Sequence, residues 1–206
     1  MNRRDFLKGA SAAAIVPATI PGAIWGSGPV AATASPVLPP ISAVVYDERY
    51  ADCRLFADAL VRHGAVAFGA NADSAQLWYG SLRAHLAKHP GRVAGLTTYA
   101  DFSVSQVCGR ELNLATLFEG THDARRSKTN LTHRLRAIDD AREIAAMPGA
   151  DAPWSESLAN ALCRLPSTRD AALRNAATAT TPRSPGNPGY LASWLLGPRV
   201  SSSVGA

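Results

Sequence analysis

Short apolar runs alternate with amphipathic stretches between residues 41 and 123 of this chain. Ile41–Tyr46 is rich in β-branched residues, and Ala65–Phe68, Arg92–Leu96 and Leu114–Phe118 repeat the same short form. Runs of this length without polar alternation suit strands covered on both faces, and hence a parallel sheet. Between them the period changes. Tyr50–His63 carries Phe56, Ala59 and Leu60 on one stripe and stops at Gly64. Ser74–His89 carries Leu77, Trp78, Leu82 and Leu86 and stops at Pro90-Gly91, and Phe102–Leu112 forms a third helical stretch. One strand and one helix recur at the spacing of a compact βαβ unit. The pattern predicts an α/β fold: a small open parallel sheet of about four strands, in the order 2-1-3-4, with flanking helices.

After Asp123 the rhythm stops. Leu131, Leu135 and Ile138 predict a helix over Thr129–Ala146, and Leu158, Leu162 and Leu165 a short helix before Pro166. Thr168–Ala179 reads as a weaker, Ala-rich helix, which makes the C-terminal extension mostly helical. Thr181–Gly189 holds three Pro and two Gly and reads as a loop or linker. Tyr190–Leu196 is apolar again and fits an edge strand, a docking helix or a surface for a partner. The resulting organisation is a leader over 1–34, a linker over 35–40, an α/β core over 41–123, a helical extension over 124–180 and a tail over 181–206.

The leader carries the most specific motif. Asn2-Arg3-Arg4-Asp5-Phe6-Leu7-Lys8 is followed by no charge until Asp47. Ala32-Thr33-Ala34 then has the small-x-small form of a processing site, with cleavage between Ala34 and Ser35. These residues resemble the bacterial twin-arginine (Tat) export signal, in which Arg3, Arg4, Phe6, Leu7 and Lys8 match the pattern and Asn2 departs from it. The resemblance implies a folded protein carried by the Tat translocase to the periplasm or beyond. The apolar segment is Ala-rich and broken by Gly9, Pro17, Pro21 and Gly22, so no stable membrane span is expected.

Composition narrows the classes further. With 206 residues, 47% apolar and 18% charged, the chain can bury a core. Its 21 basic and 16 acidic residues fall to 18 and 15 once Arg3, Arg4, Lys8 and Asp5 leave with the leader, a net charge of +3. That is too mild for a nucleic-acid partner. Cys53, Cys108 and Cys163 form no C-x-x-C, although one disulfide is compatible with the periplasm.

Ligands of open α/β sheets bind beyond the carboxyl ends of the strands, where the strand order reverses. In the order 2-1-3-4 this collects Asp47, Glu48 and Arg49 after strand one and Thr97, Thr98, Tyr99 and Asp101 after strand three. Glu119, Thr121, His122 and Asp123 follow strand four. Asp47, Glu48, Thr97, Thr98, Tyr99, His122 and Asp123 are therefore the candidate ligand residues, although Asp and Thr also serve as helix caps. Asp101 reads as a cap of the third helix, and Asp73 or Ser74 as a cap of the second. Asp47, Glu48, His122 and Asp123 have donor atoms suited to divalent ions, but no diagnostic spacing, and no metal site is assigned. There is no G-x-G-x-x-G, no phosphate loop, no nucleophile elbow and no H-E-x-x-H, so no catalytic residue or cofactor is assigned. His133, with Arg125, Arg126, Lys128, Arg134 and Arg136, reads as a solvated basic helix face. The reading that follows is an exported accessory subunit or small-ligand binding module, with a larger exported protein as one class of partner. The alternatives are a small periplasmic enzyme using strand-end Asp, Glu and His, or the small subunit of an exported oxidoreductase.

Overall fold

The computed structural model describes residues 39–70, 73–137, 141–145, 152–165, 173 and 175–199. The export motif and its cleavage site lie outside the described residues. The fold is α/β, built on one mixed seven-stranded sheet. In chain order its elements are β1 (Ile41–Tyr46), α1 (Ala51–Arg62), β2 (Val66–Gly69), α2 (Ser74–Leu77), a π-helical stretch (Trp78–Leu82), α3 (Arg83–Lys88), β3 (Arg92–Thr97), α4 (Tyr99–Glu111) and β4 (Leu114–Asp123). Then come β5 (Asn130–Ala137), α5 (Ala141–Ala145), α6 (Trp154–Arg164), β6 (Asn175–Pro182) and β7 (Tyr190–Pro198). The strand order is β2-β1-β3-β7-β4-β5-β6.

The four expected strands are present, and β1 pairs in parallel with both β2 and β3. The expected sheet was too small and too parallel. β7, from the end of the chain, inserts antiparallel between β3 and β4. β5 and β6 then extend the sheet antiparallel beyond β4. The chain after Asp123 therefore supplies three of the seven strands rather than a helical appendage.

Period explains the error over β5. Leu131 and Leu135 satisfy a helical spacing, but Leu131, His133, Leu135 and Ala137 satisfy a strand spacing, and all four are buried while Arg134 and Arg136 face water. Two of the inward positions are His and Ala, which hides the alternation from a purely apolar count. In β6 the alternating Thr residues are β-branched and suit a pleat better than a helix. The two halves of the sheet differ accordingly. β1, β3 and β7 are buried on both faces, whereas β4 and β5 alternate, with Glu119 pairing with Arg136 on the open face.

Helices pack on opposite faces. α1 contributes Cys53, Phe56 and Leu60 to one core, together with Trp154, Leu158 and Leu162 of α6. The segment from α2 to α4 contributes Trp78, Leu82, Phe102 and Cys108 to the other, against Trp194 and Leu196 of β7. α1 ends where expected, with Gly64 at φ 93°. The second predicted helix is instead kinked at Gly80, whose φ of −102° and ψ of −109° interrupt it. β2 is only partly covered, so Phe68 is half-buried, as is Leu117 of β4, while Val45 and Leu96 are fully enclosed. Cys53 and Cys108 lie in cores on opposite faces of the sheet, and all three cysteines are free thiols.

Candidate functional site

Because β7 is antiparallel to both β3 and β4, the carboxyl ends of β1, β2, β3 and β4 and the amino end of β7 share one sheet edge. The chain leaves β1 into α1 on one face and leaves β3 into α4 on the other. The reversal point therefore falls between β1 and β3.

Asp47 is fully buried there and accepts from its own loop: the Arg49 backbone N–H at 3.0 Å, Nε at 2.9 Å and an Nη at 2.6 Å. The β4 loop repeats this arrangement. Asp123 accepts from the Arg125 backbone N–H at 2.9 Å, Nε at 3.0 Å and an Nη at 2.9 Å. The donated side-chain and backbone hydrogen bonds of Arg125 hold the Asp123 carboxyl down at about 2. Each guanidinium also lies over a tyrosine: Arg49 at 5.3 Å from the Tyr50 ring centre, and Arg125 at 4.5 Å from that of Tyr190. Tyr99, 54% exposed, meets Tyr190 edge-on at 6.2 Å. An Asp-x-Arg clamp after β1 and another after β4 thus flank two tyrosines on one edge.

The remaining predicted residues are spent differently. Thr97 is buried, accepts from the Trp194 indole at 3.3 Å and donates to the Thr98 carbonyl at 3.1 Å. Thr98, rather than Asp101, caps α4, and Asp101 three residues on accepts from the Thr98 hydroxyl at 2.6 Å. Asp73 caps α2 through the Gln76 amide at 2.9 Å. Exposed Glu48 lies across Gly69, where a Cβ would collide with its side chain. The Pro- and Gly-rich loop is anchored: Asn187 donates to buried Asp52 of α1 at 3.0 Å.

His122 is not at the edge. It points into the core beneath α6, with no exposure, and faces His133 across β4 and β5. His133, expected on a solvated basic helix face, belongs instead to the buried face of β5. The Nδ1 atoms of the two rings are 2.7 Å apart. His122 Nε2 meets the Ser193 hydroxyl at 2.7 Å, and His133 Nε2 meets that of Thr181 at 2.8 Å. Register accounts for the set: His122 and His133 are direct cross-strand partners, and the two hydroxyls sit diagonally from them on β7 and β6. Gly120 opposite Ser193 leaves room for its hydroxyl, which lies 2.5 Å from where a Cβ would be. Trp154 covers both imidazoles, at 4.5 and 5.0 Å between ring centres. A cavity of about 20 Å3 adjoins them, lined also by Leu135, Ile144, Leu158 and Ala179, and is large enough for one water.

Desolvation holds both imidazoles below the usual histidine range, His133 down to about 4. A base with a lowered folded-state pKa binds its proton first in the unfolded chain. Stability should therefore be full above about pH 6.5 and fall as pH drops towards 4. The loss should reach about 3 kcal/mol from His133 alone. Urea unfolding at closely spaced pH values between 7.5 and 4 measures it, and a flat profile in a chain that still unfolds cooperatively would refute the assignment.

Among the described residues no three His, Cys, Asp or Glu side chains converge as a metal group, and no helix is long and apolar enough to cross a membrane. An apolar groove of about 310 Å3 lies at the opposite sheet edge, lined by Leu86, Pro90, Leu112, Leu114 and Pro198 among others, with Arg83 its only charged member among the described residues. Comparison with protein-family models, curated proteins and solved structures gives no match to this chain.

Proposed function

We propose that this chain is exported folded by the Tat route and acts in the periplasm or outside the cell as a non-catalytic binding module. It would serve alone or as an accessory subunit of a larger exported protein. One observation carries the reading: two Asp-x-Arg clamps flank Tyr99 and Tyr190 at the sheet edge where the strand order reverses. Each guanidinium is held in orientation by its carboxylate yet remains more than half exposed, and planar donors beside aromatic faces recognise polar ligands with a flat apolar side. The enzyme alternative uses strand-end Asp and Glu together with His122 at this edge. Buried beneath Trp154, that residue supports a catalytic role less well than the clamps support binding.

The test is a thermal melt of the full chain against a panel of sugars, carboxylates and amino acids. A ligand at a hundredfold excess over its Kd should add about 2.7 kcal/mol and raise Tm by several degrees. Tyr99→Ala should remove that shift while leaving the ligand-free Tm nearly unchanged, because the ring is exposed. Asp47→Asn should weaken binding and also lower Tm, since it leaves Arg49 without its buried counter-charge. A panel without any stabilising solute, or a shift that survives Tyr99→Ala and Asp47→Asn alike, would reject the site.

A further inference from the structure

We propose that the facing Nδ1 atoms of His122 and His133 are the seat of one imidazole-preferring transition-metal ion, with Zn2+ as the working case and a water in the adjoining cavity as a further ligand. This is a site separate from the strand-end edge and does not depend on the reading given above.

Hydrogen-bond bookkeeping leads to it. A neutral imidazole has one donor and one acceptor nitrogen. Ser193 and Thr181 occupy the outer nitrogens, Nε2 of each ring, at 2.7 and 2.8 Å. Hydroxyl oxygens there can accept an N–H from both rings at once. Metal-ligating histidines are held in this way, the nitrogen away from the ion donating to a fixed acceptor. When both outer nitrogens donate, both inner nitrogens turn lone pairs towards each other, and a cation can be held between them. Without metal, a single N–H fills the gap at 2.7 Å. Zn–N bonds of about 2.0–2.1 Å need the pair to open by only roughly half an ångström or more, and the cavity lies against the same two rings.

Two further features fit an occupant. The buried indole N–H of Trp154, a residue lining that cavity, has no hydrogen-bond partner among the described residues. An oxygen ligand on the ion offers one. The indole also covers both imidazoles, where it would stabilise added positive charge on them. The donor set selects the class of ion. Among the described residues no carboxylate lines the cavity, which argues against Ca2+ and Mg2+, whereas imidazole suits zinc, copper and nickel.

The experiment strips the full chain with a chelator and titrates it with ZnCl2, with MgCl2 as control, reading bound metal per chain and Tm. One Zn2+ per chain and a Tm rise of several degrees are expected, with no response to Mg2+. Ser193→Ala should lower the affinity 10–100-fold by removing the outer support of His122, and His133→Gln should lower it further. His85 and His89, whose rings lie 5.0 Å apart on α3, are the competing surface pair, so His85→Gln/His89→Gln should leave the binding intact. X-ray absorption on the zinc-loaded parent protein, which needs no variant to fold, should count two imidazoles on the ion. Absence of stoichiometric zinc, binding lost only in the His85/His89 variant, or fewer than two imidazoles would each overturn the proposal.

Discussion

Replacing Trp194 with alanine should cost about 3–5 kcal/mol, a large fraction of the roughly 5–15 kcal/mol stability of an ordinary domain. The side chain has no exposure and stands at the centre of the sheet on β7. Its ring lies 6.3 Å from that of Trp78 and stacks at 6.5 Å on Phe102. It also covers Gly95 so closely that a Cβ there would sit 2.1 Å from the indole. Removing the indole opens a cavity that flanking strands cannot close, and it leaves the buried Thr97 hydroxyl without its donor. Trp194→Phe keeps most of the volume and loses mainly that hydrogen bond, so it should cost much less. Urea unfolding of the three proteins, with unchanged dependence on denaturant, is the measurement. A Trp194→Ala loss below 1 kcal/mol would mean that β7 does not hold the two halves of the sheet together.

Changing Arg3 and Arg4 together to lysine should stop export, leaving the unprocessed precursor in the cytoplasm. The substitution keeps both charges, so it separates recognition of the guanidinium pair from simple attraction. Arg offers a planar fork of donors and Lys a compact point charge. Cell fractionation, with N-terminal sequencing of the exported form, reads the result; the parent chain should begin at Ser35. Normal amounts of processed double-lysine protein in the periplasm would remove the basis for the Tat reading.

Pattern made half of the fold legible. The four strands from β1 to β4 and the three intervening helical segments follow from short apolar runs, helical stripes and Gly or Pro boundaries, all of which are local signals. The gathering of Asp47, Tyr99 and Asp123 on one edge follows from the strand–helix rhythm as well. The clamps do not: an Asp two residues before an Arg is an ordinary loop sequence until the turn brings both side chains together. β5 escaped because its inward positions include His133 and Ala137, so an apolar count favoured the wrong period.

The sequence by itself determined the alternation of βα units and the boundaries of α1 and α4 within a few residues. Each depends on residues close along the chain. Only the tertiary structure decided where β7 goes and what His122 touches. An apolar run buried on both faces carries no alternation to say which edges it will join, and β7 finds its place because β3 and β4 both leave an edge open to it. That insertion puts Ser193 diagonally beside His122, and the β4–β5 register puts His133 directly opposite. The physical reason is distance along the chain. Ser193 and His122 are 71 residues apart, and their hydrogen bond exists only because the sheet pairs distant segments in one register.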